Sequence, residues 1–369
     1  MEQFVVSARK YRPTTFASVV GQEHITRTLK NAVLSGQLPQ AFLFCGPRGV
    51  GKTTCARILA KTINCTNLTP EGEACNQCDS CTSFNQGSGA TLNIFELDAA
   101  SNNSVDNMRE LVKQVYIPPT TGRYKVYIID EVHMLSKDAF NAFLKTLEEP
   151  PAYAKFILAT TEKHKIIPTI LSRCQVFDFR RIDNADIIRH LQYVAENEHV
   201  AYEPSALSLI ASKSDGGLRD ALSIFDQLVN FTQANLTHQA CIENLNLLDT
   251  DYYFRIVDSL RTGALGTALL QYKEIQDKGF DGQHFLTGLC CHLRNLLVSL
   301  DPQTLCLIDD TDEQRARYAQ QAQTCGISAL INYLNICSDF EYRYNEARNK
   351  RLFVEVCLTR MASPALPQN

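Results

Sequence analysis

Between an apolar run, Ala41–Cys45, and a second apolar-patterned stretch stands Gly46-Pro47-Arg48-Gly49-Val50-Gly51-Lys52-Thr53. A loop of this spacing needs a buried strand before it and a helix N-terminus after it, which commits the chain to a parallel α/β sheet. Glycines at 46, 49 and 51 let the backbone approach phosphate oxygens that a side chain would block. The pattern predicts a helix over 52–64 with Ala56, Ile58, Leu59 and Ile63 on its buried side. Its first turn points free N–H groups and the positive end of a dipole at an anion. Lys52 is expected to reach the β- and γ-phosphates of a nucleoside triphosphate, and the Thr53 hydroxyl to ligate Mg²⁺. Thr54 stands beside it at the start of the same helix.

Two further strand ends complete such a site. Lys125–Ile129 is a buried-strand pattern ending in Asp130-Glu131, and carboxylates at the C-terminal edge of a parallel strand face the ligand crevice. Asp130 is assigned to the magnesium shell and Glu131 to positioning or deprotonating the attacking water. Lys155–Ala159 is another such strand, ending in Thr160-Thr161. One hydroxyl there is expected to bond the γ-phosphate or the lytic water; Thr161 is preferred, although spacing alone does not separate it from Thr160. The combination predicts ATP binding and hydrolysis.

With 369 residues the chain has room for two or three domains, and 45% hydrophobic with 21% charged residues fits a globular protein. No apolar run reaches the roughly 20 residues needed to span a bilayer, so no membrane partner is expected. Met1-Glu2-Gln3-Phe4 lacks the basic and apolar regions of a leader, which points to a cytoplasmic location. A net charge of −4 argues against a free-standing basic DNA-binding module and leaves room for a local basic face.

Of 14 cysteines, four have informative spacing, Cys65-x9-Cys75-x2-Cys78-x2-Cys81. Four thiolates so placed close a tetrahedron around Zn²⁺ and leave no open position for catalysis. The intervening residues are polar and turn-forming, so a metal would have to hold the segment together. A disulfide suits an oxidising compartment better, and a redox Cys-x-x-Cys remains the other alternative.

Residues 1 to about 180 alternate strands and helices, with further strands expected at 92–97 and 176–179. Ser136 is placed to cap a helix that Pro150-Pro151 stops. From Asp183 onward apolar residues recur at helical spacing. Gly216-Gly217 breaks the pattern, and Arg219 falls in the first turn of the next helix, where a cation suits the dipole only if it meets an anion. Helical patterns continue over 253–260, 267–275, 285–300, 315–324 and 327–347, and 362–367 reads as linker.

Taken together, these segments resemble the AAA+ ATPases, and within them the bacterial clamp loader family. The likeness rests on Ala8-Arg9-Lys10-Tyr11-Arg12-Pro13, Val19-Val20-Gly21-Gln22, the glycine loop, the four cysteines and Asp130-Glu131-Val132-His133. It rests also on Leu171-Ser172-Arg173-Cys174 and Gly216-Gly217-Leu218-Arg219-Asp220-Ala221-Leu222, and is loose beyond about residue 245. The resemblance implies a nucleotide-binding domain over 1–182 with a zinc insertion at about 65–81. A helical lid over 183–244, a helical collar over 245–360 that drives oligomerisation, and a flexible tail over 361–369 would follow.

Tyr11, Arg12, Pro13 and Val20 would wall the adenine pocket. Arg173 would be an arginine finger acting on ATP held by a neighbouring subunit, and Arg219 a second sensor of the γ-phosphate. The implied partners are delta- and delta-prime-type loader subunits, further copies of its own kind, the sliding clamp and primed DNA. Such a chain is an ATP hydrolase within a DNA polymerase III holoenzyme and carries no polymerase chemistry itself. Family chains continue past a region of this size, so a short form or a piece of a longer chain is expected. A branch-migration motor would share the ATP site without needing the cysteines; a subunit that binds no nucleotide would have a damaged loop.

Overall fold

The computed structural model describes residues 5–85, 93–119, 122–245, 248–308 and 312–363. They divide into two compact units, Met1–Ala201 with Ile210–Asn230, and Tyr202–Leu209 with Phe231–Asn369.

The first unit is built on a parallel five-stranded sheet: β1 (Ala41–Cys45), β2 (Ile94–Asp98), β3 (Lys125–Asp130), β4 (Ala154–Thr160) and β5 (Gln175–Asp178), in spatial order β2-β3-β4-β1-β5. The strands β1 and β4 are buried along their whole length, β1 as its unbroken apolar sequence requires and β4 with Lys155 and Thr160 buried among its apolar residues. Phe42, Phe44, Ile128 and Ile157 pack into one layer, with Leu29, Ile58 and Leu59 from helices Glu23–Ser35 and Lys52–Ile63. Leu43, Tyr127, Phe156 and Leu158 form the opposite layer, with Leu111 and Phe143 from helices Val105–Val115 and Lys137–Glu148. Ser136 caps the latter, its Oγ accepting from Ala139 N at 3.2 Å.

The strand expected at 92–97 runs Ile94–Asp98 (Leu92 lies outside the described residues), and that expected at 176–179 runs Gln175–Asp178. Helix Lys52–Ile63 differs more: nine of its twelve residues are buried, including Lys61 and Thr62. An amphipathic reading exposes that outer face, whereas here the cysteine segment and the chain near Thr14 cover it.

The second unit holds six helices of at least three turns among its described residues: Thr250–Arg261, Leu265–Asp277, Gly282–Val298, Asp312–Cys325, Ile327–Arg343 and Lys350–Ala362. Their core gathers Tyr253, Phe254, Tyr272, Phe285, Leu289 and Leu358. The helix expected over 327–347 ends at Arg343 and tightens into a 3₁₀ turn, Tyr344–Glu346. No helix of the described residues is long and apolar enough to cross a membrane. The linker expected after Ser363 lies outside the described residues.

Candidate active site

Because β3, β4 and β1 are neighbours, their C-terminal ends open onto one edge of the sheet, with Cys45 registered against Thr160 and Ile129 against Leu158. The loop 46–51 leaves β1 there and turns into helix Lys52–Ile63. Gly46 is obligatory: its φ is 149°, and a Cβ would sit 2.5 Å from the Phe179 carbonyl oxygen. Gly49, at φ 76°, lies in the left-handed region that favours glycine.

Lys52, only 6% exposed, directs Nζ into this bend, donating to the Gly46 and Pro47 carbonyls at 2.7 and 2.6 Å. Burial lowers its pKa, and the charges of Glu131 and Asp130 oppose that shift. One residue on, Thr53 Oγ1 donates to Asp130 Oδ2 at 2.6 Å. These two hard oxygens are close enough to share one small divalent cation, so the pair fits Mg²⁺ completed by water and phosphate oxygens.

Glu131 adopts a left-handed backbone, φ 48°, uncommon for a non-glycine residue. Its Oε2 accepts from Thr161 Oγ1 at 3.0 Å and Thr161 N at 3.3 Å. Thr160 is fully buried instead, its Oγ1 accepting from Glu162 N at 3.0 Å and lying 3.0 Å from His133 Nδ1. Of the two hydroxyls, then, Thr161 is the one on the acid. His133 is almost enclosed between Glu131 Oε2 and Glu162 Oε1, each 3.4 Å from a ring nitrogen.

A cavity of about 550 Å³ opens beside these groups, within the usual range for small-molecule sites. Its lining includes Gly49, Gly51, Lys52, Thr53, Asp130 and Glu131 from the strand ends and glycine loop, and apolar Pro13, Val19, Val20, Ile182 and Leu218 with Tyr11. Val50 and Thr54 also line it, as do four arginines, Arg9, Arg12, Arg48 and Arg219. Arg219 N donates to Gly49 O at 3.3 Å, tying its helix to the glycine loop. Arg12 Nε donates to Thr54 Oγ1 at 3.3 Å, and burial, then the nearby Arg57, lowers its pKa. An anion would relieve that crowding of positive charge.

Arg173 is not in this cavity. It follows the short helix Pro168–Leu171 and pairs with Glu148 Oε1 at 2.6 Å, its side chain one-third exposed. Glu96 does line the cavity and pairs with Arg57, neither of which the sequence reading selected. Arg57 lies one helical turn after Thr53, which is the signal that points to it.

Away from the cavity, the sulfur atoms of Cys65, Cys75, Cys78 and Cys81 all lie within 4.8 Å of one another. A zinc–thiolate tetrahedron has edges of about 3.8 Å, so small adjustments bring the four onto one ion. Backbone N–H groups of Cys75, Gln77 and Cys78 already point at Cys65 or Cys75 sulfur at 3.3–3.4 Å.

Residues 21–183 match the family described as DNA polymerase III, delta subunit, and residues 186–234 the DNA polymerase III clamp loader subunit ATPase lid domain. The chain is 38% identical to DNA polymerase III subunit tau of Bacillus subtilis over 96% of its own length and 62% of that relative's. To DNA polymerase III subunit gamma of Buchnera aphidicola it is 36% identical over 96% of both chains. The Thermotoga maritima RuvB Holliday junction branch migration motor aligns at a TM-score of 0.48 and 19% identity, covering 68% of this chain and 79% of that one.

Proposed function

This chain belongs to the DNA polymerase III gamma/tau subunit family, and we propose that it is the ATP-hydrolysing subunit of a clamp loader. The observation that carries this reading is the Thr53–Asp130 contact of 2.6 Å, with Glu131 beside it, at the mouth of a glycine loop. Triphosphate oxygens would lie along the N–H groups of 49–54, with Lys52 and Arg219 on the β- and γ-phosphates. The adenine would enter the apolar slot between Tyr11, Pro13 and Val20. Thr53 and Asp130 would hold Mg²⁺, whose charge would offset that of the phosphates.

Glu131, its carboxylate steadied by Thr161, would orient a water in line with the γ-phosphorus. The water oxygen bonds to phosphorus as the bond to the ADP oxygen breaks, and the water proton leaves through Glu131. Glu131→Gln is expected to keep ATP affinity within about threefold while single-turnover hydrolysis falls roughly 10²–10⁴-fold. Unchanged hydrolysis would remove Glu131 from this role.

Family membership extends the proposal to the whole chain. Residues 1–182 serve as the nucleotide-binding domain, 183–244 as its lid and 245–360 as an oligomerising collar. Arg173 reaches the ATP of an adjacent subunit. The partners are delta- and delta-prime-type subunits, further gamma/tau copies, the sliding clamp and primed DNA.

The four cysteines are proposed to hold one structural zinc. Protein purified without chelator should carry about one zinc per chain, and Cys75→Ser with Cys78→Ser should abolish it. Metal analysis showing no zinc, or equal zinc in the double variant, would reject the assignment.

A further inference from the structure

Among the described residues no hydrogen bond or ion pair joins the cysteine segment to the groups expected to meet phosphate, yet two buried charged side chains tie it to the chain that lines the cavity. Glu73, two residues before Cys75 and 9% exposed, accepts the backbone N–H groups of Phe16 and Ala17, each at 2.9 Å. Its other contact is Lys30 Nζ at 2.7 Å, from helix Glu23–Ser35. Lys61, 1% exposed in the helix that begins at the glycine loop, donates to Thr14 O at 2.8 Å and Asn76 Oδ1 at 2.7 Å. Asn76 lies between Cys75 and Cys78 in a left-handed conformation, φ 58°, so the fold of the cysteine loop sets where its amide points.

Thr14–Ala17 is thus gripped from both sides. Arg12 and Pro13 immediately before it, and Val19 and Val20 soon after, line the cavity. Buried charges persist only when fully paired, and a carboxylate accepting two adjacent N–H groups fixes direction as well as distance. Removing Glu73 would orphan two donors in a segment whose flanks form the slot.

We propose that the cysteine segment is an affinity element for the nucleotide. Through Glu73 and Lys61, acting as positioning residues, it holds 14–17 in register with the glycine-loop helix and so sets the shape of the adenine slot. The inference rests on the cavity being an ATP site. It places the effect of the cysteine segment on the base and leaves the phosphates to the loop itself.

The test uses the whole chain, with equilibrium dissociation constants for MgATP and for inorganic tripolyphosphate, alongside zinc content. Glu73→Gln, which keeps size and removes charge, is expected to weaken ATP binding roughly tenfold. Tripolyphosphate binding should move less than about twofold, and zinc should stay at the wild-type level. Lys61→Met, keeping most of the buried stem, should repeat the pattern, so the test survives if one variant folds poorly. ATP affinity unchanged in the folded variants, or equal loss for ATP and tripolyphosphate, would overturn the proposal. Wild-type protein that binds tripolyphosphate but no ATP would instead reject the underlying site, a separate outcome.

Discussion

Replacing Lys52 by alanine should weaken MgATP binding about 10²–10³-fold, with turnover lost at any ordinary nucleotide concentration. The ammonium is held almost out of water in a bend of backbone, between the Gly46 and Pro47 carbonyls. It sits inside the glycine loop itself, with cavity-lining arginines around it, so a polyphosphate there would lose its nearest counter-charge in a partly dry site. Burial already depresses the Lys52 pKa, which means the folded chain spends free energy keeping that charge in place. Thermal stability of Lys52→Ala should therefore match or slightly exceed wild type, separating lost binding from lost folding. Isothermal titration with MgATP, beside a melting curve, makes the comparison. Affinity within about threefold of wild type would exclude Lys52 from the phosphate site.

Arg173→Ala should have the second largest effect, visible only in an assembly. In the single chain the guanidinium lies outside the cavity, held by Glu148 Oε1 at 2.6 Å and the Thr169 carbonyl at 2.8 Å. A half-exposed pair of this kind contributes about 0–1 kcal/mol, so the variant should fold, melt and bind ATP as the wild type does. If Arg173 meets the developing charge on a neighbour's γ-phosphate, its loss costs about 10³–10⁵ in hydrolysis rate. The isolated chain should hydrolyse ATP slowly with or without it. Steady-state hydrolysis by loader assembled from wild-type or variant subunits decides the matter. Equal rates in the two assemblies would leave Arg173 a surface residue paired with Glu148.

The parts of the site legible in the sequence were those set by local pattern. Five apolar residues, three glycines and Lys52-Thr53 require a strand, a bend and a helix whatever surrounds them. Asp130 and Glu131 gained meaning because a parallel strand delivers its last residues to the same edge. Choosing between Thr160 and Thr161 needed the turn after β4, which sends one hydroxyl into the core beside His133 and the other onto Glu131.

Other features depended on contacts that no spacing encodes. Nothing in the sequence sets Lys61 or Glu73 apart from other charges, and the packing of 14–17 against the cysteine loop is what buries them. Glu96 is an ordinary strand residue until β2 is placed beside β3, where it pairs with Arg57. Helix Lys350–Ala362 ends the stretch expected to be helical, but its own bounds carry no periodic signal because apolar Leu352 and Val356 stay exposed on the face opposite Val354 and Leu358. Its apolar residues therefore surround the axis and draw no stripe.

The proposed ATP site requires a triphosphate along 46–53 with its base against 11–20. Photolysis of the chain with an 8-azido adenine triphosphate and Mg²⁺, followed by peptide mapping, tests this directly. Labelling within 8–20 that excess ATP suppresses and Lys52→Ala eliminates is the expected result. Label that falls in other segments, or that ATP does not displace, would contradict it.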